Sequence, residues 1–467
     1  MKQAQTGWTF HALLNALGPL VKDVDGQTGA ELGEISTDSR TITSGSVFVA
    51  LKGPNFDGHD YAVAAKDRGA GVLIVERNVG TGASCPQIIV TDTVEAYGAL
   101  ARAWRAQFSI PLICVVGSNG KTTTTQMIAS ILRQACGEEA MLATEGNFNN
   151  SVGVPRMLLK LTPRTKAAVI EAGISHPGEM AQLISWIRPT VVVITNAQRE
   201  HQEFLKGVEA SARENAMALV SLSAKGTAVL PADDACLPVW LEFARARGCK
   251  VATYAAGDTD FAVDLRATEA MGTVTMAFGS ETLRLELKMA GRHAVHDAAA
   301  AAAAAVAVGV NSRAVEAGLR SFEPVEGRGR RHVLRNGMVI IDDAYNANPD
   351  SMRAAVDMLS RLSGPRIFVA GDMAETGGEN VESYHREIGQ YAREHGVDRF
   401  LAVGEAMKSA VEAFGAGARH FASRDELTAA AMETAKTPCT MLVKASNSMG
   451  LQHVVRDIVS ELGITDK

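Results

Sequence analysis

Cysteine is scarce and scattered. The six residues (Cys85, Cys114, Cys136, Cys236, Cys249 and Cys439) include no CxxC pair. Such spacing suggests neither a disulfide framework nor a thiolate metal site, and free thiols in a reducing compartment are expected. An excess of basic charge is missing too. Lys and Arg number 46 against 52 Asp and Glu, for a net charge of −6, which argues against a non-specific nucleic-acid binder. Long apolar runs are absent. The longest, around Ala298–Val308, is half the ~20 residues a bilayer crossing needs, and it is mostly alanine. The N-terminal stretch MKQAQTGWTFHALLNALG has Thr, Trp, Phe and His where a secretion signal has a longer apolar core. With 46% hydrophobic and 21% charged residues, the composition excludes a disordered chain. These absences lead to the expectation of a cytoplasmic chain without non-specific nucleic-acid binding and without integral membrane contact.

What is present is a repeated pattern: an apolar run of strand length, a polar turn, then a helical stretch. It recurs at Leu112–Val116, Ala167–Ile170, Val191–Thr195, Met338–Ile341, Ile367–Ala370, Phe400–Val403 and Met441–Val443. Unbroken apolar runs suit strands buried on both faces of a parallel sheet, with helices as crossovers. The expected fold class is α/β. At 467 residues the chain suggests about three domains, divided as 1–107, 108–323 and 324–467. The first holds short strands (Val47–Leu51, Val72–Val75, Ile88–Val90) and turns such as Lys52-Gly53-Pro54-Asn55. Residues 251–290 alternate in polarity, as an antiparallel edge of the middle domain would.

Ligand loops in such sheets follow the carboxyl ends of the strands. After Leu112–Val116 comes Gly117-Ser118-Asn119-Gly120-Lys121-Thr122-Thr123, then a helix whose apolar face carries Met127, Ile128, Ile131, Leu132 and Ala135. Glycines let backbone N–H groups cradle phosphate oxygens, Lys121 can reach the outer phosphates, and Thr122 can ligate Mg²⁺. The loop is shorter than the full GxxxxGK[ST] pattern. Glu171 and His201 each follow a strand of the same sheet, so with Thr122 they form a candidate Mg²⁺ site. In Gly291-Arg-His-Ala-Val-His-Asp297, His293 and His296 have no companions for a zinc set, and Asp297 is either a helix cap or a ligand group. Asp342-Asp-Ala-Tyr-Asn-Ala-Asn-Pro349 reads as ligand recognition or as a turn.

In this order the motifs resemble the Mur ligase family. GSNGKTT, Glu171, His201, the GRH segment and DDAYNANP match its ATP-binding pattern, and STDSRTITSGSVFVALKGPNFDGHDY (36–61) resembles its uridine-nucleotide domain. TEGNFNNSVGVP (144–155), DDAYNANPDSM (342–352) and LVKASNS (442–448) look like the branch that joins D-alanyl-D-alanine to a UDP-N-acetylmuramoyl-tripeptide. The DNPR-like loop of the branch adding the third amino acid is absent. A P-loop ATPase without ligase activity is the other alternative. The resemblance implies an N-terminal substrate domain, a central P-loop ATPase domain, a C-terminal Rossmann-like domain, and amide formation through an acyl phosphate with ATP and Mg²⁺. It also implies roles for single residues. Asp297 would lie at adenine, Arg328 near the phosphates, and Tyr345, Asn346 and Asn348 near the nucleotide. Ser39, Arg40, His59, Asn147, Asn149 and Asn150 would face the uridine-linked substrate. Two departures stand out. The family has Asn where Ala294 and Asp297 occur, and it carries a carbamylated lysine after the metal His where this chain reads Glu209-Ala-Ser-Ala-Arg-Glu-Asn215. Glu214 is expected to take that lysine's part, with Arg213 either pairing it or facing solvent.

Overall fold

The computed structural model describes residues 7–53, 56–81 and 84–465. Pro54 and Asn55 of the expected turn, and the first six residues of the N-terminal stretch, lie outside them. The chain forms two compact units.

The first unit takes residues up to Ile110 together with Thr144–Thr165 and Ala181–Arg188. Its five-stranded sheet runs in the order Val21–Asp25, Gln87–Val90, Val72–Val75, Val47–Val49, Ile35–Ser36. Only the first pairing is antiparallel. Phe48, Leu73 and Val75 pack with Ala62 and Ala65 in its core. The helix Thr93–Arg105 starts where Asp92 accepts the N–H groups of Val94 and Glu95. Three tryptophans fix the far side of this helix. Trp8 stacks on Trp104 with centroids 5.8 Å apart, and the Trp104 indole N–H donates to Leu161 O at 3.0 Å. Trp186 lies so close to Gly98 that a Cβ there would overlap its ring.

The second unit holds two sheets. The nine-stranded one runs Glu281–Glu286, Thr273–Phe278, Leu265–Ala270, Lys250–Ala255, Thr227–Pro231, Val191–Ile194, Leu112–Val116, Ala167–Glu171, Met141–Ala143. The first three strands form the expected antiparallel edge, and the rest are parallel. The apolar face of the helix Lys121–Cys136 packs as expected through Met127, Ile128, Ile131 and Leu132, although Ala135 is exposed. The eight alanines Ala298–Ala305 are all buried in the helix Arg292–Ala307, where small side chains permit close approach to neighbouring elements. Trp240, the remaining tryptophan, donates from its indole to Ala212 O at 3.1 Å.

The six-stranded sheet runs Arg330–Val333, Val339–Asp342, Thr440–Lys444, Arg366–Gly371, Arg399–Val403, Ala418–Phe421. Its first pair is antiparallel and the others parallel. All six cysteines are unpaired. No described helix is long and apolar enough to cross a membrane.

Candidate nucleotide and ligation site

The loop after Val116 has a shape that only glycine permits at two points. Gly117 (φ +129°) and Gly120 (φ +81°) are left-handed. A Cβ at Gly117 would overlap the Thr195 hydroxyl, and one at Gly120 would overlap the Asp297 carboxylate. The loop is held from behind. Gly117 N–H donates to Asn215 Oδ1 at 3.0 Å, Ser118 N–H to Asn196 O at 3.1 Å, and Asn119 N–H to Asn196 Oδ1 at 2.9 Å. Those three donors are therefore committed to protein. The anion-binding donors belong instead to the first turn of Lys121–Cys136, whose N-cap Gly120 supplies no side chain. Lys121 folds back over the loop. Its ammonium donates to Gly117 O (2.6 Å) and Ser118 O (2.9 Å) and faces Glu200 at 3.4 Å.

Glu171 ends its strand and is 2% exposed. His201 sits at φ +44°, and its Nδ1 pairs with Glu375. Among the described residues no group of three or more His, Cys, Asp or Glu is arranged to hold a metal. Mg²⁺ usually takes one or two carboxylates and fills the remaining positions with phosphate oxygens and water. The hydroxyl of Thr122 and the carboxylate of Glu171 fit it in that manner, as companions of a nucleotide.

Groups from the six-stranded sheet meet the same loop. The Arg328 guanidinium lies 3.9 Å from the Tyr345 ring centroid and donates to Thr122 Oγ1 at 3.4 Å. Asn348 caps the helix Pro349–Ser360 in a capping box with Ser351. Its amide also exchanges hydrogen bonds with Asn119, at 2.8 and 3.3 Å. The turn reading of this motif holds, and Asn348 also ties the turn to the phosphate loop. Asn346 offers its carbonyl to the buried Lys444 ammonium (2.9 Å), which also binds Asp343 at 2.7 Å.

Asp297 is not a cap. The helix begins at Arg292 with Gly291 as N-cap, so Asp297 falls inside it, 4% exposed. Burial pushes its carboxyl up to about 7, against the charges of His296 and Arg328. Near neutrality a share of these carboxyls carries a proton and can donate as well as accept, which narrows the difference from asparagine.

The remaining candidates are placed as follows. Arg40 pairs with Asp38 at 2.8 Å, and this hydrogen bond brings the Asp38 carboxyl down to about 2. Ser39 lies in the 3₁₀ turn that Asp38 caps. Both ring nitrogens of His59 are used: Nδ1 toward Asp57 at 2.5 Å, and Nε2 accepting Glu76 N–H at 2.8 Å. The proton therefore sits on Nδ1, and His59 has no ring nitrogen left for a ligand. Asn150 Oδ1 accepts from Val152 and Gly153 N–H at the start of the helix Gly153–Leu158, and Asn147 and Asn149 lie in the loop before it. Glu214 Oε1 accepts from Gly178 and Met180 N–H at 2.9 and 3.0 Å. Arg213 pairs with Glu209 at 2.9 Å and is exposed, so of its two expected placements it takes the one that faces solvent.

Sequence reasoning passed over Asn196, Arg199, Glu200, Asn215 and Glu375. Arg199-Glu200 directly precedes His201, so a charged pair beside a strand-end histidine was the available signal. Glu375 closes the polar strand-end loop Ala370-Gly-Asp-Met-Ala-Glu375, which drew attention to the loop but not to this residue's partner.

Comparison with known proteins agrees with this geometry. Residues 31–105 match "Mur ligase family, catalytic domain", residues 115–305 "Mur ligase middle domain" and residues 327–447 "Mur ligase, glutamate ligase domain". The chain is 37% identical to the UDP-N-acetylmuramoyl-tripeptide–D-alanyl-D-alanine ligase of Escherichia coli K12, over 91% of this chain and 93% of that one. The crystal structure of MurF from Acinetobacter baumannii superposes with a TM-score of 0.89 at 30% identity, covering 97% of this chain and 99% of that one. MurF from Thermotoga maritima in complex with ADP shares the fold, with a TM-score of 0.80 at 23% identity over 92% and 97% of the two chains. Identity at this level across nine-tenths of both chains goes beyond a common fold, and with three matched regions in the same order it makes this chain a member of the Mur ligase family.

Proposed function

We infer that the chain is an ATP-dependent amide ligase that joins D-alanyl-D-alanine to UDP-N-acetylmuramoyl-tripeptide, yielding the pentapeptide precursor of peptidoglycan. The observation that carries this reading is the meeting of both sheets at one phosphate loop: Asn348 on Asn119, and Arg328 on Thr122. A terminal carboxylate of the tripeptide attacks the γ-phosphorus of ATP, ADP leaves, and an acyl phosphate forms. The dipeptide amine then attacks the acyl carbon, loses a proton, and expels inorganic phosphate. The first step sets anion against anion. Lys121 moves from Glu200 and the loop carbonyls to the γ-phosphoryl oxygens, and the first-turn N–H groups of Gly120–Thr123 hold the others. Thr122, Glu171 and His201 would hold Mg²⁺, which would neutralise phosphate charge. Asp297 faces the adenine, Arg328 the phosphates, and Tyr345, Asn346 and Asn348 close the nucleotide site. Ser39, Arg40, Asn147, Asn149 and Asn150 serve the uridine-linked substrate, while His59 braces Asp57. The working division into substrate, ATPase and ligase domains is 1–107, 108–323 and 324–467. The enzyme acts as a cytoplasmic monomer on soluble substrates.

The test is phosphate release with ATP alone, with UDP-N-acetylmuramoyl-tripeptide added, and with D-alanyl-D-alanine added. Sustained release only in the complete mixture supports the reading. Full release with ATP alone identifies a plain ATPase. Release driven by a UDP-linked dipeptide and a third amino acid identifies the sister ligase.

A further inference from the structure

The segment Asn196–Glu203 has two sides. Its even-numbered residues up to Glu200 face the phosphate loop: Asn196 binds the backbone of Asn119, Gln198 binds Ser118 and Asn119, and Glu200 faces Lys121. Its odd-numbered residues from 199 onward face the six-stranded sheet's portion. Arg199 engages Asp350 and Glu387, His201 pairs with Glu375, and Glu203 N–H reaches Glu375 O at 3.4 Å.

Arg199 makes the strongest of these crossings. Its Nε and Nη2 donate to Asp350 Oδ1 at 3.0 and 2.6 Å, and its own backbone N–H donates to Asp350 Oδ2 at 2.8 Å. Nη1 and Nη2 donate to the Glu387 carboxylate at 2.8 and 3.1 Å, which Arg353 also holds at 3.0 Å. An exposed ion pair would be worth little. This one is half-buried, forked and tied to the backbone, so it fixes a position as well as a charge. Asp350 lies two residues past Asn348, so one helix start touches the phosphate loop and the Arg199 strap together.

We propose that Arg199 is a positioning residue for ligation: by clasping Asp350 and Glu387 it couples docking of the six-stranded portion to the placement of Glu200 and His201 beside the phosphates. This rests on the ligase reading above, and its test therefore has an arm that needs no ligation. Arg199→Ala is expected to remain folded at the assay temperature with a lowered melting midpoint and bind a non-hydrolysable ATP analogue within 3-fold of the parent, while kcat for ligation falls at least 10-fold. Arg199→Lys, which cannot fork across two carboxylates, is expected to fall between them. In hydrogen exchange, the ATP analogue should protect both residues 117–124 and residues 347–356 of the parent, but only residues 117–124 of Arg199→Ala. Glu387→Gln provides the same comparison should Arg199→Ala fold poorly. Parent-like kcat in Arg199→Ala overturns the proposal, as does a kcat loss matched by an equal loss of nucleotide binding. Protection of 347–356 that survives in both variants overturns it as well. If the parent itself shows no ligation, the ligase reading fails while the exchange data still decide the coupling.

Discussion

At the scale of single residues, Lys121 is the most exacting position. Its ammonium rests on two loop carbonyls and opposite Glu200, close to where transferring phosphoryl oxygens would lie. Lys121→Ala is expected to reduce ligation at least ~10²-fold in a folded protein, since it removes charge stabilisation needed in the transition state; steady-state phosphate release with an unchanged melting midpoint checks this. Glu214 is a different case. Its Oε1 is an acceptor for two backbone N–H groups, a role that a Gln carbonyl also fills. Glu214→Gln should keep activity within about 3-fold, and Glu214→Ala should lose about 1–2 kcal/mol of stability in urea melts. A large activity loss in folded Glu214→Gln would instead assign its charge to the chemistry. Asp297 gives a pH signature. Its carboxyl is raised in the folded chain to about 7, so its neutral form is favoured by folding. That contribution is complete below about pH 4 and is lost as pH rises through about 7. Asp297→Asn should match the parent near pH 3.5 and be more stable by up to a few kcal/mol at pH 8, as compared by urea melts at the two values. Lys121 and Thr122 were legible because phosphate binding demands those residue types at fixed spacing. Arg199 was not, because its partners lie 151 and 188 residues away. Asp297 was misjudged as a possible cap because the true helix start, Gly291, lacks a capping side chain.

Elements follow another logic. The parallel strands were readable since burial on both faces leaves no polar alternation, as in Leu112–Val116, every residue of which is buried. The antiparallel edge was readable for the opposite reason: Glu281–Glu286 has its leucines inward and its charges outward. What sequence could not provide was the use of Asn348 twice, as helix cap and as partner of Asn119, because only the second role needs a distant element. The phosphate loop makes a prediction of its own. Gly117→Ala places a methyl group against Thr195 at a left-handed φ, so the variant should lose at least ~2 kcal/mol and its nucleotide binding together. Calorimetric titration with an ATP analogue and urea melts check both; an unchanged affinity would show that the loop adapts.

For the whole molecule, the expected three-domain α/β fold is present, one sheet to each domain, and two of the three sheets lie in one compact unit. The sequence suggested three contiguous pieces. It could not reveal that Thr144–Thr165 and Ala181–Arg188 group with the N-terminal unit, since contacts made by an excursion leave no mark on local composition. Every nucleotide-facing candidate lies in the second unit. Heat unfolding should therefore show two calorimetric transitions, with an ATP analogue at 100 times its Kd raising the stability of only one by about 2.7 kcal/mol. A single transition that moves as a whole would mean that the units melt together.

The placement of the tryptophans bears on how such experiments are watched. Three of the four, Trp8, Trp104 and Trp186, belong to the first unit, and Trp240 alone to the second. Intrinsic fluorescence is thus dominated by the unit that lacks the phosphate loop. Emission from the native chain will follow the first unit and be nearly blind to the phosphate loop. A chain in which the three first-unit indoles are replaced by phenylalanine would turn Trp240 into a single-colour beacon for the unit that carries the phosphate loop.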